Sequence, residues 1–128
     1  MLEQCSCCSN KPAARCCDPL LNRTNSAKTP VALMRSRFSA YARGGHGAYL
    51  IETWLPSMTK GLSIAELSVP TVDWRRLEVI GKSQQGDNAQ VEFKAFYLNA
   101  NGAEQVQHER SVFRRVKGRW YYVGGELS

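Results

Sequence analysis

The stretch Leu33-Met34-Arg35-Ser36-Arg37-Phe38-Ser39-Ala40-Tyr41 constrains how everything around it must be arranged. At about 100° per residue, Leu33, Met34, Phe38, Ala40 and Tyr41 share one broad helical face, with Arg37 near its centre and Arg35, Ser39 and Arg43 opposite. A helix patterned in this way buries the apolar face and carries Arg37 inward with it. A guanidinium keeps its charge wherever it is placed, so the fold must offer it a carboxylate or carbonyls beneath the helix. Thr29 suits the N-cap and Pro30 the first helical position, which starts the helix there, and Gly44-Gly45 ends it.

Moving towards the C-terminus, His46 to Leu55 reads as a second, largely buried helix carrying Tyr49, Leu50, Ile51, Trp54 and Leu55 and stopped by Pro56. Ser63 to Leu67 reads as a short third. From Arg75 the apolar period falls to two. Leu77 to Ile80, Val91 to Tyr97, Val106 to Val116 and Trp120 to Val123 are strands, separated by Gly86-Asp87-Asn88, Asn99-Ala100-Asn101-Gly102 and Lys117-Gly118. Helices followed by an antiparallel four-stranded meander make an α+β domain, with the helices laid on one face of a curved sheet. The third strand is apolar on neither face. If Phe113 faces the helices, alternation turns Ser111 and Glu109 inward too, which puts a carboxylate under the central helix. An Arg37–Glu109 pair is therefore expected, and removing one partner of a buried pair costs about 3 to 5 kcal/mol.

The 128 residues leave room for one domain of ordinary size with a short appendage. A composition of 43% hydrophobic and 22% charged residues belongs to a globular chain rather than a disordered one. No apolar run approaches the about eighteen residues of a membrane span, and Met1-Leu2-Glu3-Gln4 has neither the basic nor the apolar part of a signal peptide, so a cytoplasmic location without membrane attachment is expected. The net charge is +6. Arg110, Arg114, Arg115, Lys117 and Arg119 crowd one region, but the other cations are spread among acids, so nucleic-acid binding ranks third, behind protein and small-ligand binding.

All five cysteines lie between Cys5 and Cys17. Disulfides tie together distant parts of secreted domains, whereas a tight cluster in a chain with no signal peptide points to metal. The order is Cys5-Ser6-Cys7, eight residues, then Cys16-Cys17, and four thiolates on a short hairpin close a tetrahedral zinc shell with bonds of roughly 2.3 Å. A segment this poor in apolar residues draws its folding energy from the metal. The pattern resembles the SEC-C motif, a zinc knuckle found in the C-terminal tail of the SecA translocation ATPase. That resemblance implies Cys5, Cys7, Cys16 and Cys17 as ligands of a structural zinc ion. Cys8 stands where the motif has glycine, and since Cys5-Ser6-Cys7-Cys8 also contains a Cys-x-x-Cys pair, Cys8 is an alternative to Cys7.

A wider resemblance covers nearly the whole chain. Leu33 to Phe38, Tyr49-Leu50 through Thr53-Trp54 and Pro56, Trp74, Glu109-Arg110-Ser111 with Phe113, and Trp120-Tyr121-Tyr122 are similar to the YchJ family of bacterial proteins. The resemblance implies a SEC-C knuckle and linker over residues 1–26, then a domain like nuclear transport factor 2 (cystatin-like) over 27–128, with no established activity. Domains of that shape hold a pocket between helices and sheet. Arg37, Tyr41, Trp54, Glu109, Ser111 and Tyr122 fall near it, either as a small-ligand site or as a buried polar network fixing the helix on the sheet. The leading function is a zinc-containing module that binds a protein partner, as the likeness to the SecA tail suggests. The alternative is a ligand-binding or enzymatic use of the pocket. Catalysis is the weaker class: a shell of four thiolates leaves zinc no open position for water, and the pocket offers one carboxylate, one arginine and no well-placed histidine. Such domains often pair through the open sheet face, so a homodimer is a further expectation.

Overall fold

The computed structural model describes residues 5, 7, 11–69 and 72–127. In chain order they form a 3-10 turn (Ala13–Arg15), α1 (Asp18–Leu21), α2 (Pro30–Arg43), α3 (Gly47–Glu52), a second 3-10 turn (Pro56–Met58), α4 (Ile64–Leu67), and the strands β1 (Asp73–Gln85), β2 (Asn88–Leu98), β3 (Glu104–Val116) and β4 (Arg119–Leu127). The sheet is antiparallel with its strands in sequence order. The fold is α+β, helices on one face of an open meander.

Local chemistry accounts for the boundaries of α2. The Thr29 hydroxyl accepts from the Ala32 N–H at 3.0 Å, Pro30 fills the first turn, and Gly44 leaves the helix at φ 73°. Ser63 caps α4 in the same way, accepting from the Glu66 N–H. Lys117 and Gly118, at φ 52° and 80°, form the tight turn between β3 and β4, the left-handed pair that matches the twist of two antiparallel strands.

Four elements depart from the sequence expectation, one of them β1, which runs over Asp73–Gln85 rather than only Leu77 to Ile80. Helix α3 stops at Glu52 rather than Leu55, because the backbone of 53–55 is taken by the sheet: Tyr122 N–H donates to Thr53 O at 2.8 Å and Leu55 N–H to Tyr122 O at 2.7 Å. This segment covers part of the β4 edge that would otherwise be unpaired. Strand β4 does not end at Val123 but continues through Gly124 and Gly125 to Leu127, pairing with Glu109 to Val112 of β3. Asp18-Pro19, within the stretch expected as knuckle and linker, begins α1, whose Leu21 joins the core.

Helix α2 is covered on two sides. Leu33, Met34, Arg37 and Phe38 turn towards the sheet and α3, while Ser39, expected on the solvent side, is fully buried beneath Cys5 and Cys17. Phe113, Leu33, Leu50 and Val91 are the largest wholly enclosed side chains of the core. Among the described residues no helix is long and apolar enough to cross a membrane.

Candidate functional sites

The cysteine cluster is built by a short hairpin folded back on α2. Cys5 N–H donates to Lys11 O at 2.9 Å, and the 3-10 turn brings Cys16 N–H to Ala13 O at 3.1 Å. The Sγ atoms of Cys5, Cys7, Cys16 and Cys17 then lie within 4.8 Å of one another, with Cys7 to Cys16 at 3.5 Å and Cys16 to Cys17 at 3.9 Å. A tetrahedron with metal–sulfur bonds of roughly 2.3 Å has edges of about 3.8 Å, so the cluster fits a four-thiolate metal site. Cys8 lies outside the described residues. Cys5, Cys7 and Cys17 are buried and Cys16 is half-buried. The helix supplies the outer contacts: Ser39 donates to the Cys17 sulfur at 3.3 Å, Arg35 donates to Cys7 O at 2.7 Å, and Arg43 reaches both the Cys5 sulfur at 3.7 Å and the Asp18 carboxylate at 2.6 Å. Hydrogen bonding with Cys7, then burial, push the Cys17 thiol well above its ordinary range. Crowded sulfurs of this kind shed their protons when a cation replaces them as the shared partner.

On the other side of α2, between helix and sheet, lies a cavity of about 260 Å³. Arg37, Tyr41, Glu109, Ser111 and Tyr122 line it together; Trp54 does not, because residue 54 bridges to Tyr122 outside it. Its remaining wall includes Phe93 and Ala95 of β2, which stand directly across from Glu109 and Gln107 of β3. Those two positions were open to the same alternation argument that placed Glu109, once the register between the strands is known. Trp74, which meets Phe38 and Tyr97 edge-to-face, closes the wall near the start of β1.

Arg37 and Glu109 do not form the expected ion pair. The guanidinium, 5% exposed, donates through Nη1 to Leu50 O and to Thr53 Oγ1, each at 2.7 Å, and is flanked by the rings of Tyr122 and Trp54 at 4.4 and 4.7 Å. Its Nη2 is buried with no hydrogen-bonding partner among the described residues. Glu109 is held instead within the sheet, accepting from Ser111, from Tyr122 O–H at 3.4 Å and from Gln107 at 3.4 Å. The pairing fails because Ser111 and Tyr122 capture the carboxylate, and α3 offers the guanidinium neutral acceptors. Burial lowers the Arg37 pKa, with the tyrosines and Glu109 opposing it, and an arginine keeps its proton against such a pull. Burial, then the Glu109 charge, push the Tyr122 phenol up to about 12, with Arg37 pulling the other way.

Residues 29–125 match the family description "YchJ, middle NTF2-like domain". The UPF0225 protein of Serratia proteamaculans is 39% identical over 131 residues, spanning 98% of this chain and 84% of that protein. Its counterpart in Photorhabdus laumondii is 40% identical over 131 residues, spanning 98% and 81%. A SEC-C motif containing protein from Rhodopseudomonas palustris, known as a solution structure, superposes with a TM-score of 0.90 at 41% identity, covering 98% of this chain and 99% of that one. With the long helix over an open sheet and the cysteines gathered at its back, the chain belongs to the YchJ (UPF0225) family.

Proposed function

We propose that the chain is a cytoplasmic protein-interaction module in which a structural zinc ion, held by Cys5, Cys7, Cys16 and Cys17, fixes a basic groove that takes an acidic segment of a partner protein. In this reading residues 1–26 are knuckle and linker and 27–128 the helix-and-sheet domain. One observation carries it. A groove of about 490 Å³ runs beside the cysteine cluster, with Cys16 and Cys17 in its wall, and among the described residues its charged lining is Lys11, Arg15, Lys28 and Arg35 with no carboxylate. Leu20 and Val31 give the same groove an apolar floor. Four cations against the net −2 of a four-thiolate zinc shell leave the groove positive around an apolar strip, which suits a peptide that alternates acidic and aliphatic residues, and such charges act mainly on the association rate and its salt dependence. Zinc is favoured by an all-thiolate shell, and four protein ligands make it a scaffold rather than a catalyst.

Metal analysis and a binding titration test this together. The purified chain is expected to hold one zinc per molecule, and Cys16→Ser to hold less. A fluorescent peptide of alternating Glu and Leu should bind the zinc-loaded chain and weaken steeply with salt. Arg15→Glu should reduce that binding about tenfold at unchanged zinc content. If a single-stranded oligonucleotide bound more tightly than the peptide, or if Arg15→Glu changed nothing, the groove would not be a protein site.

A further inference from the structure

The cavity between α2 and the sheet lies across the helix from the basic groove, so what it binds is independent of the function proposed above. Two formal charges stand in its wall among the described residues, Arg37 and Glu109, and they are not equally within reach. The Arg37 guanidinium is shut away: Nη1 is taken by Leu50 O and Thr53 Oγ1, Nη2 is buried, and the rings of Tyr122 and Trp54 lie against it. Glu109 is half-buried and lines the cavity from β3. Its carboxylate accepts only from neutral groups, Ser111, Tyr122 and Gln107, the last two at 3.4 Å, and no cation among the described residues forms an ion pair with it. A carboxylate partly removed from water is stabilised more by a charged donor than by neutral ones, so this one marks a place for a cation.

The rest of the wall sets the shape of that cation. Tyr41, Trp74 and Tyr122 line the cavity half-buried, and Met34, Phe38 and Phe93 line it buried. Aromatic rings attract cations as well as apolar groups. A cavity of about 150 Å³ holds benzene, and this one measures about 260 Å³, enough for one ring and a short chain. An anion would meet the Glu109 charge with no arginine donor in reach, and a quaternary ammonium has no proton to give. A primary ammonium donates to the carboxylate, while Gln107 and Tyr41 bring further oxygens to the same cavity for its remaining protons. Arg37 opposes any cation through space, which holds the preference to about tenfold over a neutral molecule of the same shape. We propose that this cavity binds a small primary arylalkylamine, its ammonium donating to the Glu109 carboxylate and its ring lodged among Phe38, Trp74 and Phe93.

The experiment titrates the full chain, in neutral phosphate buffer at constant ionic strength, with phenethylamine, phenylethanol and phenylpropionate, reading tryptophan fluorescence and backbone NMR shifts. Phenethylamine is expected to saturate and to shift the amides of Ser111 and Gly125, which stand opposite one another beside the carboxylate. It should bind about tenfold more tightly than phenylethanol, with phenylpropionate weakest. Glu109→Gln should bring the amine down to the affinity of the alcohol. Gly125→Ala is a second variant that keeps the carboxylate, since a Cβ there collides with the end of the Glu109 side chain and turns it aside. It should cost the amine about the same factor at an unchanged melting temperature and leave the alcohol as it was. Phenylethanol or phenylpropionate binding as tightly as the amine overturns the proposal, as does the absence of saturation with all three. An amine preference that survives in either folded variant also overturns it.

Discussion

Arg37 shows how a buried cation is kept without a counter-ion among the described residues: a carbonyl, a hydroxyl and two aromatic faces share its charge, and each is fixed by the backbone of α3, the segment that follows it, or β4. Reading the sequence alone places the guanidinium inside but cannot choose its partner, because the choice turns on distances across the cavity rather than on which face each residue occupies. Glu109 faces the correct side and still loses the competition to Ser111 and Tyr122, its neighbours in the sheet. The Tyr122 phenol carries a pH signature of this arrangement. Its folded pKa, pushed up to about 12, lies above the 10.0 of a free phenol, so the folded chain keeps a proton that the unfolded chain gives up. Stability from this residue is fully present below pH 10 and is lost as pH rises from 10 to 12, by about 2 kcal/mol. Urea denaturation between pH 9 and 12 should show that fall, and Tyr122→Phe should flatten it.

At the level of elements, α3 and α4 approach one another closely. Gly47 N–H donates to Ser68 Oγ at 2.9 Å, and a Cβ at residue 47 would run into the Ile64 carbonyl and Ser68. Gly47→Ala should therefore cost about 1 to 3 kcal/mol, seen as a lower urea midpoint with an unchanged slope. Element positions were legible where local chemistry sets them: Thr29, Pro30 and Gly44 for α2, Ser63 for α4, Lys117-Gly118 for the β3–β4 turn. They were not legible where a distant segment intervenes. The shortening of α3 depends on β4 drawing in residues 53–55, and the passage of β4 through two glycines makes sense only once the Glu109 side chain lies over Gly125. The gathering of the cysteines was suggested by their spacing, but the burial of Ser39 beneath them was not, since a helical wheel has no knowledge of what folds back over its polar side.

For the whole molecule, the two halves draw on different sources of stability. The sheet and α2 share an apolar core that includes Phe113, Val91 and Leu33, whereas the cysteine hairpin offers little besides its sulfurs and contacts from Ser39, Arg35 and Arg43. If the cluster holds the proposed zinc, stripping it with a chelator should abolish hydrogen-exchange protection over residues 11–21 while β2 and β3 retain theirs. Equal loss across the sheet would mean that the ion supports the entire fold. Eight of the fourteen residues of α2 are buried, spread over both of its sides, and Arg43 alone is exposed. A helix clamped in this way has almost no neutral positions through which lineages could drift. Its substitution record across relatives should lack the three-to-four-residue rhythm of a surface helix, with constraint spread nearly evenly along its length.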